Sequence, residues 1–225
     1  MEELYKGEEI AKKVVDFCLG KYKFIYISGN GGSGKTTLSK QLIKEVSSRG
    51  LNANRIDMDD FMIDSKIRKS TQKEWIDAKG NKKVGYMGWA FKESYHLAEL
   101  EEIIHSLMKE KDSFYKPKKS NDFVELKAEF PLTIIEGVGT TFLKKEKMMF
   151  SIFAMCDFKA EVDRRIERAR DGENNLSRKE VEEKAMERNE QFEVTILSEK
   201  NKFDLELWSL EDYSFRKERD NLNVL

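Results

Sequence analysis

GNGGSGKT, at residues 29–36, restricts this 225-residue chain more than any other segment. It follows a short apolar run, FIYIS at 24–28, and opens a segment with helical spacing that reaches residue 48. Glycines at 29, 31, 32 and 34 permit backbone angles and close approaches that side chains would obstruct. Strand, glycine-rich turn and helix in that order, with the G-x-x-x-x-G-K-[ST] spacing, predict a phosphate-binding loop. Its amides and the helix N-terminus would surround phosphate oxygens. Lys35 would reach the β- and γ-phosphates, and Thr36 would offer its hydroxyl to Mg²⁺. The nucleotide-binding candidates are therefore Gly29, Asn30, Gly31, Gly32, Ser33, Gly34, Lys35, Thr36 and Thr37. ANRID at 53–57 reads as the next strand. The resulting βαβ unit implies a parallel sheet with helices against it.

The rest of the chain extends that pattern. LTIIE at 132–136 and SIFAMC at 151–156 read as buried strands. Helices are predicted over 8–19, 92–109 and 160–170, and another after Ser177, which forms a capping box with Glu180. Residues 64–91 read as a mobile, partly helical excursion, and 112–123 as a polar connection that can hold a hairpin. FDLELW at 203–208 alternates and reads as a last, edge-like strand, with the final ten residues peripheral. The expected architecture is one domain over 1–225: a three-layer α/β P-loop fold with about five parallel strands, an acceptor-site excursion at 64–91 and a small helical lid at 159–175.

Composition removes several alternatives. Forty-one Lys and Arg against 42 Asp and Glu leave a net charge of −1, which excludes a uniformly basic nucleic-acid binder. The two cysteines, Cys18 and Cys156, form no C-x-x-C pair, so neither a disulfide framework nor a cysteine zinc site is expected. His96 and His105 make no metal or triad pattern with them. No run approaches 18 apolar residues, and the N-terminus lacks a signal-peptide core. A cytoplasmic setting is the expectation.

Carboxylates and arginines supply the remaining chemistry. Asp57, Asp59 and Asp60 follow the second strand; if the chain stays extended, Asp57 and Asp59 share a face and Asp60 points away. An aspartate there can orient a hydroxyl and accept its proton during transfer to a γ-phosphate. Glu136, directly after a buried strand, reads with Asp57 and Thr36 as a Mg²⁺-holding group. Arg164, Arg165, Arg168 and Arg170 crowd the helix at 161–172. Guanidinium groups there can clamp the transferred phosphoryl, with Arg164 and Arg168 on one face.

Four segments, ISGNGGSGKTTLSKQL, IDMDDF, LTIIEGV and RRIERARD, resemble in order and spacing the uridine kinase and phosphoribulokinase-like branch of P-loop kinases. The resemblance implies ATP and Mg²⁺ as cofactors and a small-molecule hydroxyl as acceptor. It puts Asp59 in the general-base position, Glu136 in the strand-end acid position and residues 159–175 in the arginine-bearing lid. Uridine kinases usually carry an Asp-His-Pro-like motif before the helix that starts near residue 92; GYMGWAF stands there instead, so an altered acceptor pocket is expected. Three other readings remain. NKFD at 201–204 matches the guanine-reading N-K-x-D pattern of GTPases. The lysines at 66–83 and 109–119 suit a kinase acting on a nucleic-acid end. A nucleotide-binding module without turnover is the third.

Overall fold

The computed structural model describes residues 3–118, 120–168 and 176–225. Along the chain come β1 (Leu4–Tyr5), α1 (Gly7–Cys18), β2 (Phe24–Gly29), α2 (Lys35–Ser48) and β3 (Ala53–Asp57). Next are α3 (Ser65–Ser70), a hairpin of β4 (Gln72–Ile76) with β5 (Lys82–Tyr86), and α4 (Leu97–Met108). A second hairpin, β6 (Ser113–Tyr115) with β7 (Val124–Leu126), precedes β8 (Leu132–Glu136) and β9 (Met149–Met155). Then follow α5 (Phe158–Arg168), α6 (Arg178–Thr195), β10 (Leu205–Ser209) and β11 (Phe215–Asp220).

The main sheet has the order β1-β11-β10-β9-β2-β8-β3. The five strands from β10 to β3 are parallel, as the sequence predicts, and β11 and β1 add antiparallel pairs. β2 and β8 are buried throughout because both sheet faces are covered. Successive β2 residues serve opposite cores. Ile25 and Ile27 pack with α1 and α2 residues such as Val14 and Leu42, while Phe24 and Tyr26 pack with Leu100 and Ile104 of α4. That alternation makes the three layers. Ser177 and Glu180 form the predicted capping box of α6.

Three expectations need correction. β10 is interior, flanked by β9 and β11. Glu206 breaks its apolar run and mimics an edge pattern, but that carboxylate is buried and paired with Lys200 at 3.0 Å. The C-terminal residues are not peripheral: β11 joins the sheet, and Leu222, Val224 and Leu225 pack against the core. In the 64–91 excursion only α3 is helical; the rest is mainly the β4–β5 hairpin. Its two-residue period is obscured in sequence because charged groups occupy both faces, while Trp75 packs across Gly85 and beside Phe91.

Candidate active site

The phosphate loop leaves the carboxyl end of β2, and Asp57 and Glu136 end β3 and β8, so the candidate groups gather where parallel sheets place ligands. Gly29 has φ 138°, and a Cβ there would run into the Ala154 carbonyl of β9. Gly34, at φ 86°, caps α2 in the left-handed region. Lys35 folds into the loop: its ammonium donates to the Gly29 carbonyl at 3.0 Å and the Asn30 carbonyl at 2.6 Å. Burial lowers its pKa, opposed by Glu136, Cys156, Glu161 and Asp59. The Ser33 hydroxyl donates to the Asn30 carbonyl at 3.0 Å. Thr36 is half-buried and Thr37 exposed in the first turn of α2. The Asn30 side chain is committed to β9 and α5. It donates to the Cys156 carbonyl and accepts from the Cys156 N–H, both at 3.0 Å, and donates to Glu161 at 3.3 Å.

The acidic segment does not continue β3. Met58–Phe61 is a 3₁₀ turn, capped by the Asp57 carboxylate accepting from the Asp59 N–H at 3.0 Å. Face-sharing by strand alternation therefore stops at Asp57. Asp59 is exposed on the turn, and its charge reaches Lys35, Tyr95 and Lys118. Asp60 does not point away from the site region; the Tyr115 hydroxyl donates to it at 3.4 Å. Burial, then Asp57, raises the Asp60 pKa, and hydrogen bonds from the Lys118 N–H and Tyr115 oppose the shift. Glu136 lies beside Asp57 across the β3–β8 pair and accepts from Arg55 at 2.7 Å. Arg55 also donates to Ser39 of α2 at 3.1 Å and lies 3.7 Å from Asp57.

The first turns of α5 are packed onto the phosphate loop. A Cβ on Gly32 would sit 3.0 Å from Glu161 Cα, and one on Gly31 would meet the Glu161–Arg165 ion pair. That pair is 2.6 Å long, and Glu161 is fully buried. Arg164 is buried too. It donates to the Gly32 carbonyl at 2.7 Å, to Ser209 Oγ at 3.0 Å and to the Leu210 carbonyl, and it lies over the Tyr213 ring at 4.4 Å. Arg168 closes α5, and Arg170 lies outside the described residues. NKFD lies at the opposite end of the sheet, before β10. Asp204 accepts from the Ser151 N–H at 2.9 Å and hydroxyl at 2.8 Å, and pairs with Lys145 at 2.6 Å. Among the described residues no helix is long and apolar enough to cross a membrane.

A phosphate loop, a strand-end acid and an acidic turn on one parallel sheet agree with the comparison by sequence. The model of the Phosphoribulokinase / Uridine kinase family matches residues 24–214. The chain belongs to this family. Phosphotransfer is therefore its general activity. No curated protein sequence matches the chain. Among solved structures, this family member is similar to the YGR205w protein, with TM-score 0.60 and 11% identity over 94% of this chain and 98% of that one. It is also similar to D-glycerate 3-kinase from Cryptococcus neoformans var. grubii serotype A, with TM-score 0.60 and 11% identity over 92% and 96% of the two chains. At such identity the likeness is one of fold.

Two residues of this kinase-family site escape the sequence reading. Arg55 is the one basic residue inside ANRID, two positions before Asp57; period-two spacing was the available signal. Glu161 stands four before Arg165 on the helix, a pairing distance that hid a fully buried carboxylate among surface-like charges.

Proposed function

We propose that the chain transfers the γ-phosphoryl group of ATP to a hydroxyl of a small molecule. The observation that carries this reading is the convergence of the phosphate loop, the Asp57–Glu136 pair and Asp59 at one end of the sheet, with Asp59 close enough for its charge to act on Lys35. The loop amides and Lys35 bind the triphosphate, and Lys35 exchanges its own loop carbonyls for phosphate oxygens. Asp59, exposed on its turn, orients the acceptor hydroxyl and takes its proton. Arg164 and Glu161 hold the loop in shape, while the Arg165 guanidinium stands against Gly31 of the loop.

The residues suit magnesium. Asp57 and Glu136 are adjacent, Thr36 lies in the first turn of α2, and all their donors are oxygens, which a hard cation prefers. Among the described residues no group of three or more His, Cys, Asp or Glu side chains forms a cage. The ion would therefore be shared between these side chains and the triphosphate. When bound, it supplies positive charge at the β- and γ-phosphates. Arg55 holds the Glu136 carboxylate in the meantime.

Asp59→Asn tests the reading. Mg·ATP affinity by calorimetry should stay near wild type, because Asp59 faces the acceptor. Single-turnover transfer should fall roughly 10²–10⁴-fold. Unchanged transfer in this variant removes Asp59 from the chemistry.

A further inference from the structure

Tyr26 of β2 carries a buried hydroxyl that makes no hydrogen bond among the described residues. A buried polar group left in that state costs free energy until something meets it. The same side chain lines a cavity of about 200 Å³ between β2, α4 and the connection from β8 to β9. Ile104 and Met108 of α4, Leu143 of the connection and Met149 at the start of β9 give it apolar walls. An apolar cavity of about 150 Å³ is enough to take a benzene ring. The two methionine chains are unbranched, so they adapt to an entering group.

This cavity is separate from the candidate active site. The phosphate loop, Glu136 and the acidic turn stand at the carboxyl ends of the parallel strands, whereas Met149 opens β9 at its amino end. The first residues of α4 lie beside the acidic turn, where the His96 N–H donates to the Phe61 carbonyl at 2.7 Å. The cavity takes the other half of that helix, from Glu101 to Met108.

Charge decides what would fit. Glu101, His105, Lys144 and Glu146 complete the lining, and the first three are exposed, so the cavity opens to solvent at that end. Lys144 pairs with Glu146 at 3.3 Å, which balances one charge of each sign. The Glu101 carboxylate has no hydrogen bond or ion pair among the described residues. Burial raises the Tyr26 pKa, and the Glu101 and Glu146 carboxylates push it the same way, so the field at the phenol is negative. A phenol that keeps its proton can still accept a hydrogen bond from an N–H. An anion would meet that field with the one lysine of the lining already paired.

We propose that this cavity binds a compact organic cation, one ammonium group on a single ring or a branched alkyl body of similar size, with the ammonium donating to the Tyr26 hydroxyl in the field of Glu101. Its apolar body replaces water against Ile104, Met108, Leu143 and Met149.

The probes are benzylamine, benzyl alcohol and benzoate, titrated into the full chain with ¹³C in its methionine methyl groups. Two of the nine methionines line the cavity, so their NMR signals report on it directly. Benzylamine should shift the Met108 and Met149 methyls saturably, with a Kd in the millimolar range or below. Met62, next to the acidic turn, and Met186, exposed on α6, should stay in place. Benzyl alcohol and benzoate should bind about tenfold more weakly or worse. Tyr26→Phe keeps the ring and removes a hydroxyl that has no partner, so its Tm should equal or exceed that of wild type. Its affinity for benzylamine should fall about tenfold. Glu101→Gln, at the exposed end, should abolish the preference for the amine over the alcohol. A Tm several degrees below wild type in Tyr26→Phe would show that the hydroxyl already has a partner in the free protein, and overturns the site. So do the absence of a saturable shift, shifts centred on Met62, equal binding of benzyl alcohol or benzoate, or a benzylamine affinity indifferent to either substitution.

Discussion

The two halves of the site are finished to different degrees. On the phosphate side four polar side chains are engaged within the fold: Lys35 on loop carbonyls, Asn30 on Cys156, Glu161 on Arg165, and Arg164 on Gly32 and the end of β10. On the acceptor side Asp59 and Lys118 are exposed, Arg68 is half-buried, and the small hairpins leave Ile76, Val84, Tyr86, Phe114 and Phe123 in solvent. A loop whose amides must converge on one shape gains from rigid packing before the ligand arrives. A pocket that must admit and release a particular acceptor is instead completed by that acceptor. Buried packing on one side and open charge on the other predict different failures when residues are changed.

The largest effect should come from filling the contact between loop and helix. Gly32 has φ 71°, and its Cβ position is 3.0 Å from Glu161 Cα. Gly32→Val is therefore strained twice, by conformation and by contact. Displacing the loop by an ångström should weaken Mg·ATP binding by about 10²-fold or more, measured by calorimetry. A near-normal affinity would mean that α5 can yield, and the contrast between the two halves would be lost.

Arg164→Ala comes next. It leaves the Gly32 and Leu210 carbonyls without their charged donor and uncovers Tyr213. Unfolding stability should drop by about 2–3 kcal/mol in denaturant titration, with nucleotide affinity weakened as a consequence. A variant that folds as stably as wild type but transfers phosphate slowly would move Arg164 from loop support into the chemistry.

The same contrast explains what the sequence made legible. GNGGSGKT, LTIIE and ANRID sit on buried parallel strands and a helix start, where local composition and spacing coincide with the tertiary role. Three of the five parallel strands, β2, β3 and β8, follow from them. The acidic turn was harder. Asp57 ends its strand and then caps a 3₁₀ turn with its own carboxylate, so alternation no longer governs Asp59 and Asp60. The roles of Arg164 and Glu161 depend on contacts 132 and 131 positions away along the chain, to Gly32 and Asn30, which no local period encodes. NKFD failed for a related reason: a four-residue match says nothing about which end of a strand it occupies.

Asp204→Ala gives that last point a test of smaller size. The carboxylate satisfies the Ser151 N–H and hydroxyl and pairs with Lys145, far from the phosphate loop. Its removal should cost about 1–2 kcal/mol of stability and leave the ratio of ATP to GTP affinity unchanged. A shift in that ratio would bring the guanine-reading alternative back.

The smallest effect separates two neighbours on the acceptor side. Asp60 is held by the Tyr115 hydroxyl and the Lys118 N–H, yet burial and Asp57 together raise its pKa above the ordinary value of 3.8. An acid whose folded pKa lies above its unfolded one binds its proton more tightly when folded. Its ionised form therefore subtracts stability at pH above the folded value, and the penalty vanishes below the unfolded one. Asn keeps an oxygen that can accept from Tyr115 and Lys118 but carries no charge. Asp60→Asn should raise Tm at pH 7.5 by no more than about 2 °C, with the gain shrinking as the pH falls toward 3.8. Transfer should change far less than in Asp59→Asn, because the charge removed is one that fastens the β6–β7 connection. A gain that stays constant with pH would trace to packing rather than ionisation. A collapse of turnover matching that of Asp59→Asn would show that the 3₁₀ turn presents both aspartates to the acceptor, and the base would have to be assigned to the pair.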